Sequence, residues 1–229
     1  YDNLAINEAF LDSAVKRNSV VSRAKELGYV PRSAKCAYAD VTIQVSSPNV
    51  GPASIAFPAY SPFTTTVDGQ TYTFYNTEAI TSVGSSTSYT IENVRIVEGE
   101  RLSFRYEVKE GIRKYVIPNV NVDLDTLKVR VQDNSQSSNF TTFVRANTIV
   151  NVDETSNVYW VREIDDGYYE LIFGDNALGR QLESGNIVDI EYFVSNLSAP
   201  NGARVFRYSG PLPYSGAIVT TYTVNPASG

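Results

Sequence analysis

The sequence predicts a mainly β protein, α+β overall, with a short helical leader ahead of multi-stranded antiparallel β domains. Three observations carry that expectation. Apolar residues recur at helical spacing over the first thirty positions, and from Ala37 onward the period drops to two. Thr, Val, Tyr, Ile and Phe dominate the remainder, residues that suit a pleated, half-buried surface. Gly, Pro, Asn and Asp fall between the apolar runs, where turns are needed.

In the leader, Leu4, Phe10, Leu11, Ala14 and Val15 are separated so that one helix face is apolar. Asn18 and Ser19 are N-cap residues for a second helix bearing Val20, Val21, Ala24 and Leu27. Gly28 then suits a left-handed C-cap, and Pro31 forbids continuation. Two short helices are expected, with a break near Asn18.

Val41, Ile43 and Val45 alternate with Thr42, Gln44 and Ser46, the pattern of a half-buried strand. Ser54–Phe57 is a short strand stopped by Pro58. Asp68-Gly69 is a hairpin signal between Phe63–Val67 and Thr71–Tyr75. Gly84–Ser88 is a loop. Further strands are expected at 90–97, 102–108, 113–117, 127–132, 140–145, 158–163, 168–173, 187–194, 203–208 and 217–224. Joints are expected at Glu110-Gly111 and along Asp133–Asn139. The expected division is a leader at 1–35, a first β domain at 36–111 and a second at 112–229.

Composition excludes several chemistries. The 229 residues contain no His and one Cys, Cys36, so neither Ser-His-Asp nor Cys-His machinery can be assembled from this chain. Zinc sites built on Cys and His fail likewise, and no internal disulfide is possible. A net charge of −6 with both signs interspersed argues against a nucleic-acid partner, which requires a basic face. No run approaches the roughly 18 apolar residues of a spanning helix, so no membrane partner is expected. Met is absent and the sequence starts at Tyr1, which is read as a piece of a longer polypeptide.

Candidate sites each meet a plainer reading. Gly174 to Gly179 has the GxxxxG spacing of a phosphate loop, but Arg180-Gln181 stands where Lys and Ser or Thr are required. A strand is expected soon after it where a helix should be, so a glycine-bearing turn is the expectation. Asp165 and Asp166 could act as paired carboxylates, yet they precede Gly167 in a turn between strands. Asp123 and Asp125 resemble the start of a calcium loop that lacks its Gly and Glu. Asn139-Phe-Thr141 and Asn196-Leu-Ser198 are chance matches to a glycosylation triplet. Tyr159, Trp160, Tyr168 and Tyr169 could form a sugar platform, but strand alternation buries at least half of them. Cys36 is read as a small buried hydrophobe. No cofactor, metal or small-molecule substrate is expected.

Three stretches together resemble the baseplate wedge proteins of contractile-tailed bacteriophages, within the broader baseplate J-like group. They are FLDSAVKRNSVVSRAKELGYVPRSAKCAYADVTIQV at 10–45, RKYVIPNVNVDLDTLKVRVQDN at 113–134, and YELIFGDNALGRQLESGNIVDIEYFV at 169–194. The last is similar to a family signature onto which Phe173, Gly174, Asp175, Gly179, Gly185, Asn186, Tyr192, Asn201 and Gly202 map. Asn176 replaces a frequent Gly, and Asn also tolerates a left-handed backbone. The approach Asn196-Leu-Ser-Ala-Pro200 carries more side chains than the family's loop.

The resemblance implies a structural, non-enzymatic part of the virion tail baseplate, assembled in the bacterial host cytoplasm. It implies that copies pair, bind other wedge proteins and close as a ring that changes shape when the sheath contracts. It marks Gly174, Asp175, Asn176, Gly179, Gly185, Asn201 and Gly202 as turn residues. The alternative is a carbohydrate-binding adhesin or tail-fibre β-sandwich module, supported by Tyr content alone.

Overall fold

In the computed structural model, the described residues are 15, 19–20, 32–84 and 87–229. The two expected leader helices therefore lie outside the described residues almost entirely. Beyond them the chain is mainly β, as its two-residue period requires, and its sheets are largely antiparallel.

Fifteen strands follow one another among the described residues. They are β1 (Tyr38–Ser46), β2 (Ser54–Phe57), β3 (Pro62–Val67), β4 (Gln70–Asn76) and β5 (Ile80–Val83). Then come β6 (Ser88–Glu98), β7 (Glu100–Glu107), β8 (Lys114–Ile117), β9 (Val122–Gln132) and β10 (Phe140–Arg145). The last are β11 (Val158–Glu163), β12 (Tyr169–Phe173), β13 (Ile187–Val194), β14 (Arg207–Tyr208) and β15 (Ile218–Ser228). They divide between two compact units, one of residues 1–33 and 102–192, the other of residues 34–101 and 193–229.

The unit containing residues 34–101 holds a six-stranded sheet in the order β14-β3-β4-β6-β1-β15 and a two-stranded sheet of β2 and β5. Strand β1 sits between β6 and β15, antiparallel to both. Its Val41, Ile43 and Val45 are fully buried, while Asp40 on the other face binds Arg95 at 3.0 Å and Asn225 at 3.0 Å. Alternation thus sorts one strand into a core side and a polar side. Aromatic edges fill the core, with Phe74 4.9 Å from Phe206 and Phe57 5.2 Å from Tyr208. The hairpin of β3 and β4 turns at Asp68 (φ 51°) and Gly69 (φ 79°), the paired positive φ expected of Asp-Gly.

The other unit holds a seven-stranded sheet, β7-β13-β9-β10-β11-β12-β8. Its pairs β9–β10, β11–β12 and β12–β8 are antiparallel. The pair β10–β11 is parallel, with Val144 opposite Val158, which departs from an all-antiparallel expectation. Parallel neighbours require a crossover of about a dozen residues, and the run 146–157 provides it. Phe173 anchors the core of this unit, within 5.7 Å of Tyr115 and 5.5 Å of Phe143.

Two strand expectations need correction. Only Arg207–Tyr208 of the expected 203–208 strand joins a ladder. Before it, Gly202 N–H donates to Ala227 O (2.7 Å) and Ala227 N–H to Ala203 O (3.0 Å), while the Thr221 and Thr223 hydroxyls donate to Phe206 O and Arg204 O. Side-chain hydroxyls thus take carbonyls that a neighbouring strand would otherwise bind. Strand β5 was unforeseen: its residues Ile80–Val83 alternate weakly in polarity and stand beside the Gly84 loop.

Candidate functional site

The run Phe173–Arg180 leaves β12 and folds into a closed loop. Asp175 Oδ1 accepts the backbone N–H groups of Ala177 (3.2 Å) and Leu178 (3.1 Å), the local capping Asp performs at turns. Its Oδ2 lies 3.2 Å from Arg113 Nη1. These donors, the Leu178 and Ala177 amides first and Arg113 after them, hold the Asp175 carboxyl below its ordinary range. Asn176 has φ 65° and closes the loop by donating its N–H to Gly179 O at 3.0 Å. Its Oδ1 accepts the Gln181 N–H at 2.9 Å. The sequence departure at Asn176 is therefore accommodated by a residue that supplies both the left-handed turn and a cap.

Two glycines are needed for different reasons. A Cβ on Gly174 would overlap Gly179 C and O and stand 2.6 Å from Leu178 O, all backbone atoms that cannot swing aside. Gly179 has φ +76°, and a Cβ there would also meet Val158 Cγ2 at 3.0 Å.

This loop holds the β10–β11 crossover. Gly179 N–H donates to Asp153 O (2.9 Å) and Arg180 N–H to Ser156 O (2.8 Å). The crossover is itself stiffened by Asp153, whose Oδ1 accepts Ser156 Oγ (2.7 Å), Thr155 Oγ1 (2.9 Å) and Thr155 N–H (3.0 Å). Those bonds lower the Asp153 carboxyl, the Ser156 hydroxyl most. Sequence reading placed the loop between β12 and β13 but missed Arg113, Asp153 and Ser156, which touch it from distant positions.

Gly185 and Asn186 open β13. Gly185 N–H donates to Val108 O and Val108 N–H to Asn186 O, each at 2.9 Å. The buried Asn186 side chain donates to Asp133 O at 2.8 Å and accepts the Glu183 N–H at 2.9 Å. Further along β13, the fully buried Tyr192 donates its hydroxyl to Asn119 Oδ1 at 2.5 Å and lies parallel to the Phe104 ring. Burial pushes the Tyr192 hydroxyl upward, so it stays a donor. Asn119 belongs to IPNVNVD and Tyr192 to the glycine-turn stretch, so two of the three family-like stretches meet here. The pair was invisible in sequence, although both residues lay within quoted motifs.

In the other unit, Asn201 N–H donates to Ser198 O at 3.1 Å and Gly202 docks on Ala227. Leu197, not a glycine, takes a left-handed φ of 58°, and Ser195 Oγ accepts its N–H at 2.9 Å. That cap meets the geometry demanded by the side-chain-rich Asn196–Pro200 approach.

The remaining candidates sit in ordinary structural settings. Asp165–Gly167 forms one 3-10 turn closed by the Ile164 N–H to Tyr168 O bond of 2.8 Å. Asp123 Oδ1 accepts the Asp125 N–H at 3.0 Å. Tyr159 and Tyr169 are buried while Trp160 and Tyr168 are half-buried, the alternation expected of paired strands. Burial pushes the Tyr159 hydroxyl to about 12. Cys36 is buried and, as the sequence's one cysteine, forms no internal disulfide. Among the described residues no group of three or more Cys, Asp or Glu lies close enough to hold a metal ion.

Residues 100–206 match the family model of the bacteriophage baseplate wedge protein gp6, third domain. The chain is 24% identical over 232 residues to the baseplate wedge protein gp6 of Enterobacteria phage T4, an alignment covering 93% of this chain. It spans 34% of that relative's length. The matched region contains the IPNVNVD stretch and the whole Phe173–Gly202 signature. The resemblance drawn from sequence is borne out.

Proposed function

We propose, from this chain's kinship with bacteriophage baseplate wedge proteins, that it is a structural segment of a contractile-tail baseplate wedge in the virion. It scaffolds assembly through interfaces with other wedge proteins and with further copies of itself, and it passes on the change of shape when the sheath contracts. No bond is made or broken in this role. The observation that carries the reading is the family match over residues 100–206. It is supported by the signature residues Asp175 and Asn186, whose side chains bind backbone amides and carbonyls of the chain itself.

Sheets cross-linked by backbone hydrogen bonds and packed side chains resist deformation, so such a body transmits displacement rather than absorbing it. We assign the leader, residues 4–28, to contact with a neighbouring element or chain, because its apolar stripe requires a partner. Deleting residues 1–30 from the full-length protein is expected to reduce its incorporation into tails, read by immunoblot of purified particles. Wild-type incorporation together with unchanged melting would overturn that assignment.

A further inference from the structure

Glu98 ends β6 and is fully buried, its residue surface 0% exposed. A buried ionised carboxylate usually has a cationic partner or several donors. Here one residue supplies both contacts: Asn196 Nδ2 donates to Oε1 at 2.5 Å and Asn196 N–H to Oε2 at 3.4 Å. Asn196 itself is exposed, so it covers the carboxylate from the solvent side.

The surrounding corner is assembled from three segments of one unit. Glu98 N–H donates to Ala37 O at 2.8 Å, and Ser195 Oγ donates to Lys35 O at 2.6 Å. A Cβ on the next residue, Gly99, would stand 2.8 Å from Val194 O, so the segments are in close contact. Titratable neighbours on these segments and on β1 and β4 are Lys35, Cys36, Tyr38, Asp40, Tyr75, Glu100 and Arg101. Among these, Asp40 pairs with Arg95, Tyr38 lies under Arg95, and Arg101 lies over the Tyr60 ring.

We propose that Asn196 is a lid over the buried Glu98 carboxylate and that the two form a proton-controlled latch on the corner at residues 193–197. Among the described residues the ionised carboxylate has two donors for its two oxygens in the closed corner, whereas opening hydrates it. Burial accordingly raises the Glu98 carboxyl against the smaller opposing effect of Asn196. The sign follows: the closed corner is tightest below the unfolded glutamate range and loosens as pH rises through the raised value. Each unit by which closure raises the carboxyl corresponds to about a tenfold change in the opening equilibrium.

Hydrogen exchange of the full chain, corrected for intrinsic rates, tests this on the peptide covering 193–201. Between pH 4.5 and 7.5 its protection is expected to fall by about tenfold per unit of that shift, with β1 amides unaffected. Glu98→Gln is expected to abolish the pH dependence. An equal pH dependence in wild type and E98Q would overturn the latch. Should E98Q fail to fold, carbon-13 titration of the wild-type Glu98 carboxyl decides. A midpoint above the ordinary 4.5 supports the latch, and one at or below it overturns it.

Discussion

At the scale of single residues, the glycine turn separates two causes of conservatism in backbone geometry. Gly174 is constrained by proximity, since any Cβ enters the Leu178–Gly179 backbone, whereas Gly179 also requires a left-handed φ. Gly174→Val is therefore expected to destabilise the chain by roughly 3 kcal/mol or more, at the upper end of overpacking costs, measured by chemical denaturation. A variant of wild-type stability would refute the contact argument. Asp175 makes a pH-dependent contribution of opposite sign to that of Glu98. Its depressed carboxyl stabilises the fold above the unfolded aspartate range, and this is lost as pH falls through the lowered value. Asp175→Asn should flatten the acid limb of the stability profile while leaving its neutral-to-alkaline shape unchanged. A full wild-type acid limb in D175N would show that other carboxylates dominate it.

At the scale of elements, strand periodicity was largely legible, because burial on one face imposes a two-residue pattern that residues such as Val41, Ile43 and Val45 display. The Asp68-Gly69 turn was legible for an equally local reason: two consecutive positive φ angles demand those residue types. The parallel β10–β11 pair was not. Its cause lies in the 146–157 crossover and in Gly179 and Arg180, which bind that run through backbone atoms that any residue type carries. Turn chemistry identifies where a chain bends but not what later docks on the bend. The Asn119–Tyr192 bond was hidden likewise, since it joins β13 to the loop before β9. Tyr192→Phe leaves the Asn119 carbonyl oxygen without this donor and should cost about 1–3 kcal/mol. Double substitution with Asn119→Ala should cost less than the sum of the single changes. Strict additivity would indicate that the two side chains act independently.

At the scale of the molecule, sequence separation sets what can be read. Strand β15 pairs with β1 from the far end of the chain, Ile43 opposite Thr221, and no local pattern specifies such a partner. The residues expected to mark a site, Gly174 to Gly185 and Asn201-Gly202, were legible as turns because turns are local. Their interaction partners, Arg113, Asp153, Val108 and Ala227, were not. Glu98 shows the same limit in another form, a carboxylate in a polar-looking sequence position that folding encloses completely.

The proposed role makes this chain a structural part of a contractile-tail baseplate. Cryo-electron microscopy of the intact tail tests it most directly. Density for the six-stranded β14-β3-β4-β6-β1-β15 sheet and the seven-stranded β7-to-β8 sheet is expected within the baseplate ring. Finding those sheets instead at the tip of a tail fibre, or nowhere in the assembled particle, would contradict it.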